Sequence, residues 1–187
     1  MKFTLNWLRD HLDTDCSLNE LCESLIKLGH EVESVIDPSK NLSNFKIVEI
    51  KDVKPHPEAD RLQVCMVNDN GNLLQVICGA PNARIGLKTV LAPVGIYVPG
   101  IDIVIKKSII RGQESNGMLC AFSELALDGD SDGIIELAED AVIGTPYIEH
   151  VQLNDPVIEI AITPNRGDCL GVRGIARDLS AAGIGKL

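Results

Sequence analysis

Residues 17–29 carry apolar side chains at helical spacing, with Leu18, Leu21, Cys22, Leu25 and Ile26 on one stripe. Ser17 and Glu20 stand in the S-x-x-E order of a capping box, in which each side chain satisfies the other's backbone N–H. Gly29 is the predicted stop. "EVESVI" then alternates with the period of two that marks a strand, and Asp37-Pro38-Ser39 reads as a linker. From Phe45 the texture changes. "FKIVEIKDV", "RLQVCMV", "LLQVICGA", "TVLAPVG", "IYVPG", "IDIVIKKSIIRG" and "GIIEL" read as short strands with Gly or Pro between them. Asn70-Gly71 between the second and third suits the positive φ of a type I′ hairpin turn. "SELAL" reads as a single helical turn.

After residue 150 the pattern reverts. "DPVIEIAITPNRGD" contains a strand. "CLGVRGIARDLSAAG" places Val172, Ile175, Ala176 and Leu179 on one helical face, with Asp168 as the expected N-cap. The flanks thus read as helix plus strand and the middle as all-β. The predicted class is α+β: a small β-barrel spanning 40–150, inserted into a discontinuous α+β domain made of 1–39 and 151–187.

Net charge is −10, which argues against a broad basic footprint for nucleic acid. The distribution qualifies that. Every basic residue of 40–150 lies at or before Arg111, and 124–140 holds acids but no base, so a basic patch has to be local. No apolar run approaches the roughly 20 residues of a membrane span. The opening "MKFTLNWLRDHLDTD" lacks the apolar block of a signal peptide and reads as a cytoplasmic start. Cys16, Cys22, Cys65, Cys78, Cys120 and Cys169 form no C-x-x-C pair and no zinc-finger spacing, so they read as small buried hydrophobes.

Three stretches carry candidate chemistry. In "KPHPEADRLQVC" His56 lies between Pro55 and Pro57, which hold the backbone extended. This is either a rigid rim offering His56 and Arg61 to RNA, or a loop held by Asp60–Arg61 pairing. "CGAPNARIGLKT" fails as a phosphate loop: Gly79 and Gly86 are too far apart, Leu87 precedes Lys88, and Pro81 removes a donor. A tight turn remains, with Lys88 able to face a polyanion. In "IDIVIKKSIIRG" the apolar residues alternate, so Lys106 and Lys107 are expected on opposite faces of one strand. Arg111, Ser115 and Asn116 follow among glycines, then the adaptable Met118. They read as a polar contact strip or as a loop stitched by side-chain bonds. His11, His30, His56 and His150 are scattered and pair with no nucleophile, so neither catalysis nor a metal site is expected. Arg173 and Arg177 share a helical face, expected to be solvated or to face another domain.

"HPEADRLQVC", "VICGAPNARIG" and "RGQESNGMLCAFSELAL", in that order, resemble the tRNA-binding OB-fold domain of aminoacyl-tRNA synthetases and free-standing tRNA-binding proteins. "MKFTLNWLRDHL" and "ITPNRGDCLGVRGIARDLSAAG" resemble the N-terminal portion of the bacterial phenylalanyl-tRNA synthetase β-chain family, which often has Pro where Gly167 stands. Together these stretches extend the resemblance over essentially the whole chain. It implies a far longer β chain, paired with an α subunit in a cytoplasmic (αβ)₂ heterotetramer that uses ATP and Mg²⁺ to join phenylalanine to tRNA(Phe). It places aminoacylation in the α chain and editing beyond residue 187, leaving no catalytic or metal site here. It also implies that Ser115 and Met118, in the S-x-G-M pattern, help contact tRNA. The middle block has only Phe45, Tyr97, Phe122 and Tyr147 as aromatics, so stacking platforms are scarce. Shape recognition through Lys106, Arg111, Ser115 and Asn116 is expected instead, with about two to four phosphate contacts. The alternative is an assembly module with little RNA affinity of its own.

Overall fold

The computed structural model describes residues 1–187. Its elements begin with β1 (Lys2–Thr4), α1 (Leu5–Arg9), α2 (Leu18–Lys27), β2 (Glu31–Ile36) and α3 (Ser39–Leu42). Then come β3 (Lys46–His56), β4 (Ala59–Asp69), β5 (Asn72–Cys78), β6 (Lys88–Ala92), β7 (Tyr97–Val98) and β8 (Ile103–Val104). The chain ends with β9 (Ser108–Ile110), β10 (Gln113–Ser115), β11 (Met118–Leu119), α4 (Tyr147–His150), β12 (Val157–Ala161) and α5 (Val172–Ala181). The whole is a mixed fold of several sheets with few helices. It divides into a flanking unit, Met1–Ser39 with Leu153–Leu187, and a central unit, Lys40–Gln152. No helix is long and apolar enough to cross a membrane.

In the flanking unit an antiparallel sheet runs in the order β1-β12-β2. The capping box forms: Ser17 Oγ accepts from Glu20 N–H, and the Glu20 carboxylate accepts from Ser17 N–H at 2.9 Å. Leu21 and Leu25 of α2 are buried, as the stripe requires, but Ile26 is 59% exposed and lies off the packed face. Phe3, Leu8, Leu21, Ile158, Ile160 and Ile175 meet in one core. Each such side chain contributes about 1.5–3 kcal/mol when fully buried. Val172, Ile175, Ala176 and Leu179 are buried as expected. Asp168 is not the N-cap of α5. That position belongs to Gly171, and Asp168 sits in a preceding 3₁₀ turn, Gly167–Cys169, drawn there by arginines.

In the central unit five antiparallel strands run in the order β11-β6-β3-β4-β5. Alternate residues face inward, such as Cys65 and Val67 on β4 and Val76 and Cys78 on β5, and they join Val48, Ile50 and Leu91 in the core. Asn70 and Gly71 both take positive φ, +48° and +95°, in the β4–β5 turn. The first and last residues of this unit's fold are paired: Lys46 bridges Pro146, and Tyr147 N–H donates to Phe45 O at 2.8 Å.

The expected closed barrel is not completed by ladders, because β5 and β11 share none. Side-chain bonds of Ser115 and Gln75, with one backbone bond from Asn116 N–H to Gln75 O, take that place. "IDIVIKKSIIRG" is not one strand either. It breaks into β8 and β9, with Asp102 at φ +54° and Lys106-Lys107 between the two strands, so strand alternation does not apply to those lysines. β8 pairs with β7, and β9 with β10. "GIIEL" forms no strand. Ile134 N–H goes to the Asn82 side chain, and Leu137 makes a single bridge to Lys88.

Candidate nucleic-acid interface

The two-residue turn Arg111-Gly112, with φ of +45° and +80°, joins β9 to β10. His56 latches this hairpin. Its Nδ1 accepts from Glu58 N–H at 3.1 Å, so Nε2 carries the proton and donates to Ile110 O at 3.0 Å. Arg111 Nη1 donates back to Glu58 O at 2.9 Å. The Pro-flanked loop and the hairpin tip are thus tied by side chains in both directions. His56 is buried and holds the rim from behind, whereas Arg111 is exposed at its tip.

Ser115 is 2% exposed. Its Oγ accepts from Ile77 N–H at 3.0 Å and donates to Gly117 O at 3.1 Å. Asn116 N–H donates to Gln75 O at 2.9 Å, and Gln75 Nε2 to Glu114 O at 2.8 Å. Residues 114–116 therefore dock on the free edge of β5 without a regular ladder. Met118 is half-buried beside them, at the start of β11.

The cations differ in freedom. Lys107 pairs with Glu114 at 2.6 Å, and hydrogen bonds from Lys107 and Asn116 hold the Glu114 carboxyl below the usual range. Lys106 is exposed and makes no salt bridge, nor does Arg61 near the start of β4, so the Asp60–Arg61 pairing does not form. Lys88 is committed: its ammonium donates to the carbonyls of Glu139 and Ala141, the latter at 2.7 Å. Arg84 is committed too, forking onto Glu136. The structure thus gathers His56, Arg111, Ser115, Asn116, Lys106 and Met118 around β8–β11. It leaves Arg61 solvated on β4 and turns Lys88 toward 139–141. Gln75 and the Lys107–Glu114 pair are parts of this arrangement that sequence reasoning missed. The Lys107–Glu114 pair is legible only once 108–115 is read as a hairpin.

The flanking unit holds a second polar cluster. Arg166 and Arg177 both donate to Asp168 and to Asp178, and Arg166 Nη2 lies 2.8 Å from Cys169 Sγ. His30, 3% exposed, lies 3.4 Å from Asp178. Metal-ligating atoms of His30, Cys169 and Asp178 lie within 4.8 Å of one another, but the Arg166 guanidinium already supplies the positive charge among them. Burial pushes the Cys169 thiol up to about 11. Burial also raises the Asp178 carboxyl, but the guanidinium hydrogen bonds outweigh it and bring it down to about 2. Because that lies below the ordinary carboxylate value near 3.9, the ionised form stabilises the fold above about pH 4. That stability is lost as pH falls toward about 2. Urea midpoints followed by the sole tryptophan, Trp7, should drop across this window, and Asp178→Asn should flatten the drop. A profile identical in wild type and variant would remove Asp178 from the account.

The family model described as "Putative tRNA binding domain" matches residues 45–146. Over its full length the chain is 55% identical to the phenylalanine–tRNA ligase beta subunit of Cereibacter sphaeroides, covering 24% of it. It is likewise 55% identical to that of Gluconobacter oxydans, covering 23%. The chain spans about a quarter of the length of these curated relatives. Among solved structures, a MetRS related protein from Pyrococcus horikoshii is 18% identical, with a TM-score of 0.39 over 55% of this chain and 86% of that one. The matched segment includes the latched hairpin, the Ser115 tie and most of the central unit, and on that match the chain belongs to the tRNA-binding domain family.

Proposed function

We propose that the central unit is an OB-type module that lies along the outside of a folded tRNA, recognising its shape rather than its sequence. The family match over 45–146 carries this reading. The exposed cations Lys106 and Arg111, on a strip braced by His56 and Ser115, support it. Rigid positioning of a few cations suits an A-form backbone better than flexible loops would. Arg61 is a further phosphate contact in this reading, Asn116 and Met118 line the strip, and Lys88 contributes by fixing the 139–141 loop. The flanking unit, from 1–39 and 151–187, is an α+β domain into which the module is inserted. Both belong to a cytoplasmic phenylalanine–tRNA ligase whose β chain pairs with an α subunit in an (αβ)₂ assembly acting on tRNA(Phe). In this reading ATP and Mg²⁺ act elsewhere in the whole enzyme, and the 78–89 loop keeps its two cations for internal partners: Lys88 and Arg84 are both engaged.

Few phosphate contacts give weak, salt-sensitive binding, which the effective concentration within the whole enzyme would amplify. Titration of the chain with folded tRNA and with unfolded RNA of equal length, at two salt concentrations, tests this. Preference for the folded RNA, with affinity falling as salt rises, is the expected result. No binding at low salt would leave only an assembly role.

A further inference from the structure

We propose that the groove between β8 and β11 takes one unstacked nucleobase of the bound RNA, with Lys106 on the adjoining phosphate. This rests on the tRNA-binding reading and specifies what the strip holds. The groove measures about 830 Å³, within the roughly 300–1,000 Å³ of small-ligand pockets. Its walls are Ile77, Ile103, Val104, Ile105, Ile110 and Met118. Ile103 and Val104 are 45% and 49% exposed, and neighbouring Ile109 is 75% exposed. So much apolar surface facing water in one place marks a binding site rather than scattered exposure.

Charge selects the occupant. Of the two carboxylates of this strip, Glu114 is paired with Lys107, whereas Asp102 accepts from the neutral Tyr97 hydroxyl at 2.9 Å and keeps its charge. Lys106 lines the groove with no anion, and Arg111 at the end of the strip makes one bond, to a neutral carbonyl. With Lys106, Lys107 and Arg111 against Asp102 and Glu114, the strip keeps a net charge of +1 in a chain of net charge −10. A nucleotide presents two apolar faces and, one sugar away, a phosphate. That combination matches an aliphatic slot beside a free cation, whereas a purely apolar peptide would leave the cation without a partner. Ser115 Oγ in the floor is occupied on both sides, and Ser108, also lining the groove, has a rotatable hydroxyl that either donates or accepts. The slot therefore tolerates any base. Aliphatic walls stack less strongly than aromatic ones, so they do not offset the few kcal/mol of pulling a base from a helix. The base has to be one already unpaired, in a loop or at an end.

The test uses folded tRNA carrying 4-thiouridine, near-UV cross-linking to the chain, and peptide mapping. Cross-links should concentrate on 103–106 and Met118. Ile103→Ala and Met118→Ala should each weaken folded-tRNA binding about fivefold. Lys106→Gln should lower the salt slope by about one. Leu73→Ala, at an exposed apolar position outside the groove, should bind as wild type, and urea midpoints confirm that each variant is folded. Cross-links elsewhere, or wild-type affinity in both groove variants, would overturn the groove assignment while leaving tRNA binding intact. A concentration-dependent dimer abolished by Ile103→Ala at unchanged tRNA affinity would assign the groove to a second copy instead. Wild type that binds no tRNA would remove this inference together with the function it rests on.

Discussion

Replacing Asp178 by alanine should lower the stability of the flanking unit by about 1.5 kcal/mol, read by Trp7 fluorescence in urea. Asp178 accepts from Arg166 and Arg177 and lies beside His30. Without it the two guanidinium groups share one carboxylate, Asp168, and buried His30 loses its side-chain partner. Breaking a fully buried pair costs about 3–5 kcal/mol, because the remaining charge keeps its desolvation penalty, and losing a surface pair costs about 0–1 kcal/mol. An intermediate figure applies here: the Asp178 side chain keeps 15% of its surface, but Arg166 and Arg177 keep 31% and 49% and stay hydrated without it. Asp178→Asn preserves the shape and should cost less. A change below about 0.5 kcal/mol for the alanine variant would class the cluster with surface ion pairs that contribute little.

Ser115→Ala should destabilise the central unit by about 2 kcal/mol. The substitution leaves the Ile77 N–H and the Gly117 carbonyl buried without a partner, and that desolvation is what the protein loses. It also loosens the edge of β5, which Ser115 holds where no ladder does. The salt dependence of RNA binding should stay the same, since no charge is removed. Chemical denaturation and an RNA titration on the same sample separate the two roles. Full stability with weakened RNA binding would make Ser115 a direct contact instead of a tie.

Features set by neighbours in sequence were legible. The Ser17–Glu20 box, the Asn70-Gly71 turn and the Val172–Leu179 stripe each depend on residues a few positions apart, and each forms. Features decided by distant partners were not. "GIIEL" has strand composition, but Asn82 and Lys88, about fifty residues earlier, claim its backbone groups one at a time. The strip at 101–110 alternates like one strand, yet 103–105 pair back onto 95–98 while 108–110 pair forward with 113–115, which divides the run. α1 is five residues long, too short to show a helical period. The candidate site divides along the same line. Its residues stood out as short polar and basic groups among glycines. Whether such a group faces water or the core depends on a strand forty positions away, so the exposure of Lys106 and the burial of Ser115 and His56 could not be told apart.

The pairing of Lys46 with Pro146 and of Phe45 with Tyr147 bears on the order in which the molecule assembles. The β3–β5 meander joins near neighbours and can form early, whereas β1 must wait for β12, since Lys2 pairs with Glu159. A chain made from its N-terminus therefore exposes residues 1–39 first but completes their sheet last. Once the central unit has closed, its two ends stand side by side. The flexible loop that β1 and β2 would otherwise have to close around, costing about 4 kcal/mol of entropy, is already closed. The central unit thus acts as a folding clip that makes the discontinuous flanking unit behave as though its two pieces were adjacent in sequence.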